Sequence, residues 1–211
     1  MTSQKQNKKI AAVVLAAGQC RRMNAFKPLL PFGTTSVIGA CINNVREGGI
    51  TKIIVVVGHR GTEIIQHLKN ETVFFAVNED HQSEMAVSIA RGVEKVSADT
   101  AAILILPADI PAVTPQVVTS IIKEWRRGAQ LVMPIYAGRG GHPVLIDARF
   151  RDELLTLDRA SGLRGFLESQ RNLVLRINVE CPYIARDLDT WDDYRQLHEE
   201  IFGIPPSKRD Q

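Results

Sequence analysis

The chain has 211 residues, 45% of them hydrophobic and 23% charged, an ordinary balance for one α/β domain with a sizeable core. Its formal net charge of +3 is too weak to mark a nucleic-acid partner, which a concentrated basic stripe would show. No apolar run is long enough to span a bilayer, and the polar segment Met1–Lys9 lacks the apolar centre of a secretion signal, so the expected compartment is the cytoplasm. The apolar run Ile10–Leu15 predicts a first strand. Val37, Ile38, Cys41, Ile42 and Val45 recur at helical spacing within Ser36–Glu47, and Gly48-Gly49 stops that helix. Lys52–Val57 is β-branched and continuous, as in a strand buried on both faces. A short helix over Thr62–Lys69 and a strand over Thr72–Val77 follow. Glu84–Val96 has helical spacing through Met85, Ile89 and Val93, Ala101–Leu106 reads as another buried strand, and Pro115–Arg127 reads as a helix with Pro in its first turn. Short strands over Leu131–Ile135 and Pro143–Ile146 flank the Gly-rich loop Ala137–Gly141. Phe150–Leu155 and Ser161–Gln170 read as helices, Leu173–Val179 and Tyr183–Leu188 as strands, and Thr190–Ile201 as a closing helix. The alternation predicts an α/β fold: one open, mostly parallel sheet with helices on both faces, over residues 9–201, with loose termini at residues 1–8 and 203–211.

The three cysteines, Cys20, Cys41 and Cys181, are widely spaced with no C-x-x-C pair, which suggests neither a disulfide framework nor a zinc site. The most informative stretch follows the first strand: Leu15-Ala16-Ala17-Gly18-Gln19-Cys20-Arg21-Arg22-Met23-Asn24-Ala25-Phe26-Lys27. Small residues let backbone N–H groups approach a ligand closely, and successive N–H groups in such a turn form a concave anion site. Arg22 and Lys27 add formal positive charge against phosphate oxygens. The alternative is a solvated basic loop after a core strand. Neither G-x-x-x-x-G-K-[ST] nor G-x-G-x-x-G is present, so this is neither of the better-known phosphate loops.

The stretch resembles the L-A-[AG]-G-x-[SG]-x-R-M-G-x-x-K signature of the MobA-like NTP transferases, a family that includes the molybdenum-cofactor cytidylyl- and guanylyltransferases. Leu15, Ala16, Ala17, Gly18, Arg22, Met23 and Lys27 match in register, while Cys20 replaces Ser or Gly and Asn24 replaces Gly. The resemblance implies a three-layer Rossmann-like fold of the nucleotide-diphospho-sugar transferase type. Pro107-Ala108-Asp109-Ile110-Pro111 is similar to the family's G-D-x-P, whose Asp binds the metal, so Asp109 is the expected ligand of Mg²⁺ or Mn²⁺. An Asp capping the next helix is the alternative, although Thr114 before Pro115 fits a cap better. Arg186-Asp187-Leu188-Asp189-Thr190-Trp191-Asp192-Asp193-Tyr194 resembles D-[IL]-D-T-P-E-D-[LY]. Asp187 and Asp189 project to one side of an extended segment, with Asp189 the first choice as second metal ligand and Asp187 the next. The alternative there is a cap for the last helix.

Further matches place Gly58 and His59 after one strand and Asn78 after the next, with Ser88 and Gly92 in S-L-x-x-G, as nucleotide- or substrate-side residues. Glu84 stands where the family has Gly, and a negative side chain there is expected either to shift base selection or to weaken nucleotide binding. Gly138-Arg139-Gly140-Gly141-His142-Pro143 resembles G-x-x-G-H-P near the acceptor, where His142 can bind an acceptor phosphate; a hairpin turn is the alternative. Gly162-Leu163-Arg164 resembles the end of G-D-x-G-A-R, with Arg159-Ala160 replacing its Gly-Asp.

The resemblance implies an enzyme that moves NMP from an NTP to a phosphate-bearing acceptor, releasing pyrophosphate. Arg22, Lys27 and Asp109 are the expected catalytic residues. Ala17 goes with the CTP-using branch, and molybdopterin is the acceptor the family implies. This leaves room for a molybdoenzyme as acceptor partner, with no nucleic-acid or membrane partner. Two alternatives are a sugar-phosphate or other small-phosphate nucleotidyltransferase and a non-catalytic nucleotide- or cofactor-binding partner of a molybdoenzyme.

Overall fold

Unbroken β-branched and alanine-rich runs set the central strands, because a strand covered on both faces presents no polar side to solvent. A computed structural model describes Lys5, residues 7–19, Met23, residues 25–80 and residues 84–206. Strand β1 (Lys9–Ala16) is followed by a 3-10 turn at Lys27–Leu29, a small hairpin of β2 (Pro31–Phe32) and β3 (Thr35–Ser36), and helix α1 (Val37–Glu47). Next come β4 (Lys52–Val57), α2 (Gly61–His67), β5 (Phe74–Val77), α3 (Met85–Glu94), β6 (Thr100–Pro107) and α4 (Pro115–Arg126). The rest holds β7 (Leu131–Tyr136), β8 (Arg139–Gly140), β9 (Val144–Asp147), α5 (Arg151–Leu155), α6 (Gly162–Ser169), β10 (Val174–Asn178) and α7 (Trp191–Phe202), with 3-10 turns at Ala148–Phe150 and Pro182–Ala185.

The main sheet has the order β10-β7-β9-β6-β1-β4-β5, with β8 paired to β7, and the β2–β3 hairpin stands apart. β1 runs parallel to β4 and β6, β4 to β5, and β10 to β7. β9, between β6 and β7, runs antiparallel to both, and the short β8 runs antiparallel to β7. The expected mostly parallel α/β sheet is what forms, with helices on both faces. Alternate residues of β1 divide the core: Ala12, Val14 and Ala16 join the cluster with α1 and α4, while Ala11, Val13 and Leu15 join the one with α3, α5 and α6.

A third cluster positions the site. Met23, Leu30, Phe32 and Val37 pack with Leu188, Tyr194 and Leu197. The Tyr194 hydroxyl donates to the Pro31 carbonyl at 2.6 Å. The β2–β3 hairpin thereby fastens α7 and the segment before it to the Met23 side of the domain.

Three expectations are corrected. The strand expected over Tyr183–Leu188 is instead the Pro182–Ala185 3-10 turn followed by irregular chain, with Pro182, whose fixed φ suits a helical start, opening the turn. Thr114 stands at the start of α4 without a capping hydrogen bond from its side chain. Lys5, expected in a loose terminus, is held by the Asp147 carboxylate at 2.8 Å and the Ala129 carbonyl at 3.1 Å. At the other end Thr190 and Asp193 form a capping box on α7, so the cap reading of that motif holds for these two residues.

Candidate active site

The chain leaves β1 toward β4 on one side and returns to β6 on the other, so the carboxyl ends of β1 and β6 form the switch point where open α/β sheets bind ligands. Leu15, Ala16 and Ala17 are buried there, and the Ala108 amide donates to the Leu15 carbonyl at 2.9 Å, joining the two strand ends. Gly58, at the end of β4, sits against the same turn. A Cβ on Gly58 would lie 2.9 Å from the Ala17 Cβ and 3.0 Å from its carbonyl oxygen, so only glycine lets this turn close. Gly18 borders open space. Cys20, Arg21, Arg22 and Asn24 lie outside the described residues, and Arg22 keeps its role only as an expectation.

Lys27 opens the first 3-10 turn and is buried, with its ammonium 2.9 Å from Asp189 Oδ1. Asp109 lies at the corner just after β6, and the Leu188 amide donates to its carbonyl at 3.0 Å. Leu188 is fully buried, so its neighbours Asp187 and Asp189 turn together away from the core on the Asp109 side. Burial pushes the Asp109 carboxyl above its ordinary range; Lys27 opposes this, and Asp187 and Asp189 reinforce it. Lys27, Asp109, Asp187 and Asp189, three acids and one ammonium drawn from remote parts of the chain, are thus electrostatic neighbours. Among the described residues no three His, Cys, Asp or Glu side chains converge into a ready-made metal site. Asp109 and Asp187 line one cleft while Asp189 is held by Lys27. That donor set suits Mg²⁺ or Mn²⁺, because Mg²⁺ takes one or two carboxylates and fills its shell with water and substrate phosphate.

Asn78 and Ser88 are both buried and bond each other, the Asn78 amide donating to Ser88 Oγ at 3.0 Å. Asn78 Oδ1 also accepts the Asp80 amide at 3.1 Å, and its own amide donates to Val57 at 2.8 Å. These two residues tie the ends of β4 and β5 to α3. His59 stands edge-on to Phe26 at 6.5 Å between ring centroids, with the Arg60 guanidinium 4.4 Å over that same Phe26 ring.

Beyond Asp109 opens a cleft of about 660 Å³. Asp187, His142, Glu84, Arg159, Arg164 and Arg176 line it. The His142 amide donates to the Ile184 carbonyl at 2.6 Å, and a Cβ on Gly141 would lie 2.3 Å from that carbonyl oxygen, so the glycine permits the contact. His142 Nδ1 is buried with no hydrogen-bond partner among the described residues. Burial pushes the imidazole below its ordinary value, against the Ile105 backbone and the Asp187 charge.

Residues 12–174 match the MobA-like NTP transferase domain. The chain belongs to that family. It is 25% identical over 196 residues to the molybdenum cofactor cytidylyltransferase of Escherichia coli K12, covering 92% of this chain and 98% of that protein. The crystal structure of Rv0371c from Mycobacterium tuberculosis H37Rv superposes with a TM-score of 0.81 at 29% identity, over 91% of this chain and 98% of that one. A structure of Rv0371c in complex with manganese gives 0.78 at 28% identity, over the same shares of 91% and 98%. The protein is therefore a nucleotidyltransferase with the sheet and layers expected for it.

As a MobA-like transferase the chain keeps the small-residue turn and Asp109 at the strand ends that the sequence indicated, with Lys27 on the 3-10 turn that follows β1. It does not leave Asn78 and Ser88 as free polar groups, since each satisfies the other. Glu84 lines the same cleft as Arg159 and Arg164, while the near neighbours of Gly58 are Ala17 and Asn78. Arg176 and Met133 escaped the sequence reading: each sits on a strand with no motif around it, and only the pairing of β10 with β7 brings them to the cleft.

Proposed function

We propose that the protein transfers CMP from CTP to the phosphate of molybdopterin and releases pyrophosphate, with Mg²⁺ or Mn²⁺ held by Asp109 and by Asp187 or Asp189. The carrying observation is that Lys27, Asp109, Asp187 and Asp189 are electrostatic neighbours at the joined ends of β1 and β6, with Asp109 and Asp187 lining a cleft that Arg159, Arg164 and Arg176 also line. An oxygen of the acceptor phosphate attacks the α-phosphorus of CTP in line. The new P–O bond forms as the bond to the bridging oxygen breaks, and pyrophosphate leaves with that electron pair. A phosphate dianion is itself the nucleophile and needs no general base. A Mg²⁺ or Mn²⁺ held by Asp109 and by Asp187 or Asp189 would supply neutralisation of the charge that develops on the phosphates.

The protein's own groups do the rest. The turn amides hold the nucleotide phosphates, and Lys27 with Arg22 balances the charge of the leaving pyrophosphate. Lys27 reaches phosphate by exchanging Asp189 for it, which frees that carboxylate near the cation. His142 lines the same cleft beside the Asp187 charge, which is where an acceptor phosphate would be met. Ala17 closes the turn against Gly58 and leaves less room for a purine, which supports CTP. Glu84 stands on the acceptor side, which weakens its claim as a base selector.

Pyrophosphate release across the four NTPs with molybdopterin tests this. CTP should outrun GTP by at least the roughly tenfold that about 1.4 kcal/mol gives. Arg159-Ala160 in place of Gly-Asp keeps a second reading open, in which a sugar phosphate is the acceptor. Turnover with a sugar 1-phosphate and none with molybdopterin would establish that reading, and CTP binding without turnover on either would make the chain a binding partner.

A further inference from the structure

The chain turns a tight corner after β4, beside the Ala16–Gly18 turn. Gly58 and His59 lead from Val57 to Arg60, whose backbone is left-handed at φ 53°, and α2 starts at Gly61. A residue other than glycine keeps that conformation only where its surroundings hold it. The Arg60 side chain supplies such contacts. Its Nε and Nη2 donate to Glu63 Oε1 and Oε2 at 2.5 and 2.6 Å, a two-pronged pair that sets the plane of the guanidinium. The same bonds hold the Glu63 carboxyl below its ordinary range. The guanidinium carbon lies 4.4 Å from the centroid of the Phe26 ring, and the His59 ring meets that ring edge-on at 6.5 Å.

Phe26 is where this clamp bears on the nucleotide side of the domain. The ring is buried, in the core cluster that also holds Val57 of β4 and Ile64 of α2. Phe26 stands directly before Lys27, at the cap position of the Lys27–Leu29 turn. Its side chain has no oxygen with which to cap that turn, while its carbonyl accepts the Leu29 amide at 3.1 Å. The residue that carries the clamped ring therefore also carries the first bond of the turn. Lys27 leaves that turn to place its ammonium 2.9 Å from Asp189 and next to the Asp109 charge. An exposed ion pair such as Arg60–Glu63 adds little stability by itself. What it does here is keep a cation against the ring face, where the quadrupole of the ring attracts it.

Resting on the reading of Lys27 as a phosphate-binding group, we infer that Arg60 is a positioning residue for the nucleotide: oriented by Glu63, it holds the Phe26 ring in place and thereby aims Lys27. Arg60 acts through that ring and not by touching the nucleotide. Without the clamp Lys27 is misaimed for part of the time, and apparent affinity falls in proportion to the fraction still competent. One cation–ring contact at a solvent-accessible position sets that fall at about two- to fivefold.

Calorimetric titration with CTP in the presence of Mn²⁺ tests this. R60Q should bind about two- to fivefold more weakly than wild type. R60K, with the same backbone strain and a cation that still reaches the ring, should recover most of the loss. K27A should lose about tenfold or more, the scale of one charge-assisted contact. The deciding comparisons are the double variants. R60Q should cost nothing further in K27A, where nothing remains to be aimed, and nothing further in F26L, where the ring is gone. A merely structural role would lower affinity alike in every background. Losses that add in either pair, or an R60Q protein that binds like wild type, overturn the inference. Weak binding by K27A beside normal binding by R60Q would remove the role of Arg60 alone. Normal binding by K27A would sink the reading of Lys27 and the inference with it. Thermal melts confirm folding of R60Q and R60K, which are changed at an exposed position.

Discussion

A carboxylate kept on a buried corner for a cation it has yet to meet costs the free protein stability. Asp109 is such a group: burial pushes its value up, Asp187 and Asp189 add to this, and Lys27 offsets only part. A folded-state value above the unfolded one means that the ionised form opposes folding at neutral pH. Asp109→Asn should therefore melt no lower than wild type without metal, while turnover falls about a hundredfold, the scale of losing one strong transition-state stabiliser. Mn²⁺ should raise the melting temperature of wild type and leave that of Asp109→Asn nearly unchanged. A variant that melts clearly lower in metal-free buffer would show that the charge supports the fold. Lys27 has the opposite balance. Removing it leaves three acids without their ammonium, so Lys27→Ala should destabilise by about 3 kcal/mol, as breaking one side of a largely buried pair does. In an Asp189→Asn background the same change should cost about 1 kcal/mol less, since the pair is already gone. Equal costs in both backgrounds, by urea denaturation, would mean that the pair contributes nothing. These residues are legible in the sequence because a short motif fixes their distance from a strand end. Arg159 and Arg176 are not, because an exposed arginine carries no spacing signal until β10 docks on β7.

At the scale of the element, α3 is held against the sheet by the absence of one side chain. A Cβ on Gly92 would lie 2.3 Å from Val13 Cγ1 and 2.8 Å from Val56 Cγ2. Gly92→Ala must push α3 off β1 and β4, at about 1–3 kcal/mol for overpacking. Ser88, one turn earlier on the same helix, would lose its bond to Asn78, so weaker CTP binding should accompany the loss of stability. A Gly92→Ala protein that melts and binds like wild type would show that α3 has slack. Helices and long strands are legible from period and length, and their ends shift by a residue or two. The Pro31–Ser36 hairpin is not, because two-residue strands have no period to read. Tyr183–Leu188 misleads because its apolar residues serve different clusters: Ile184 joins the core beside α4, and Leu188 the one under α7.

The whole molecule is closed at the end of the sheet opposite the site by a tie among the amino-terminal segment, α4 and β9. Asp147 receives Lys5 Nζ at 2.8 Å, Trp125 Nε1 at 3.0 Å, and both the amide and Nε of Arg149 at 3.2 Å. Burial alone would raise the Asp147 carboxyl; the donors of Lys5, Arg149 and Trp125 outweigh it and hold the value below the ordinary range. The sheet order is legible only in outline from alternating strands and helices, and nothing local indicates that residue 5 would reach residue 147. A carboxyl with a depressed folded value contributes stability that is complete above its unfolded value, about 3.9, and is lost as pH falls through the folded value. Asp147→Asn should thus lower stability at pH 7 by about 1–3 kcal/mol, the scale of charge-assisted hydrogen bonds. Its deficit should shrink as pH falls below about 4, because acid protonates the wild-type carboxyl too. Urea melts of both proteins at neutral pH and at successively lower pH read this directly. A deficit of the same size at every pH would assign the loss to altered packing around Trp125 and remove the charge from the account.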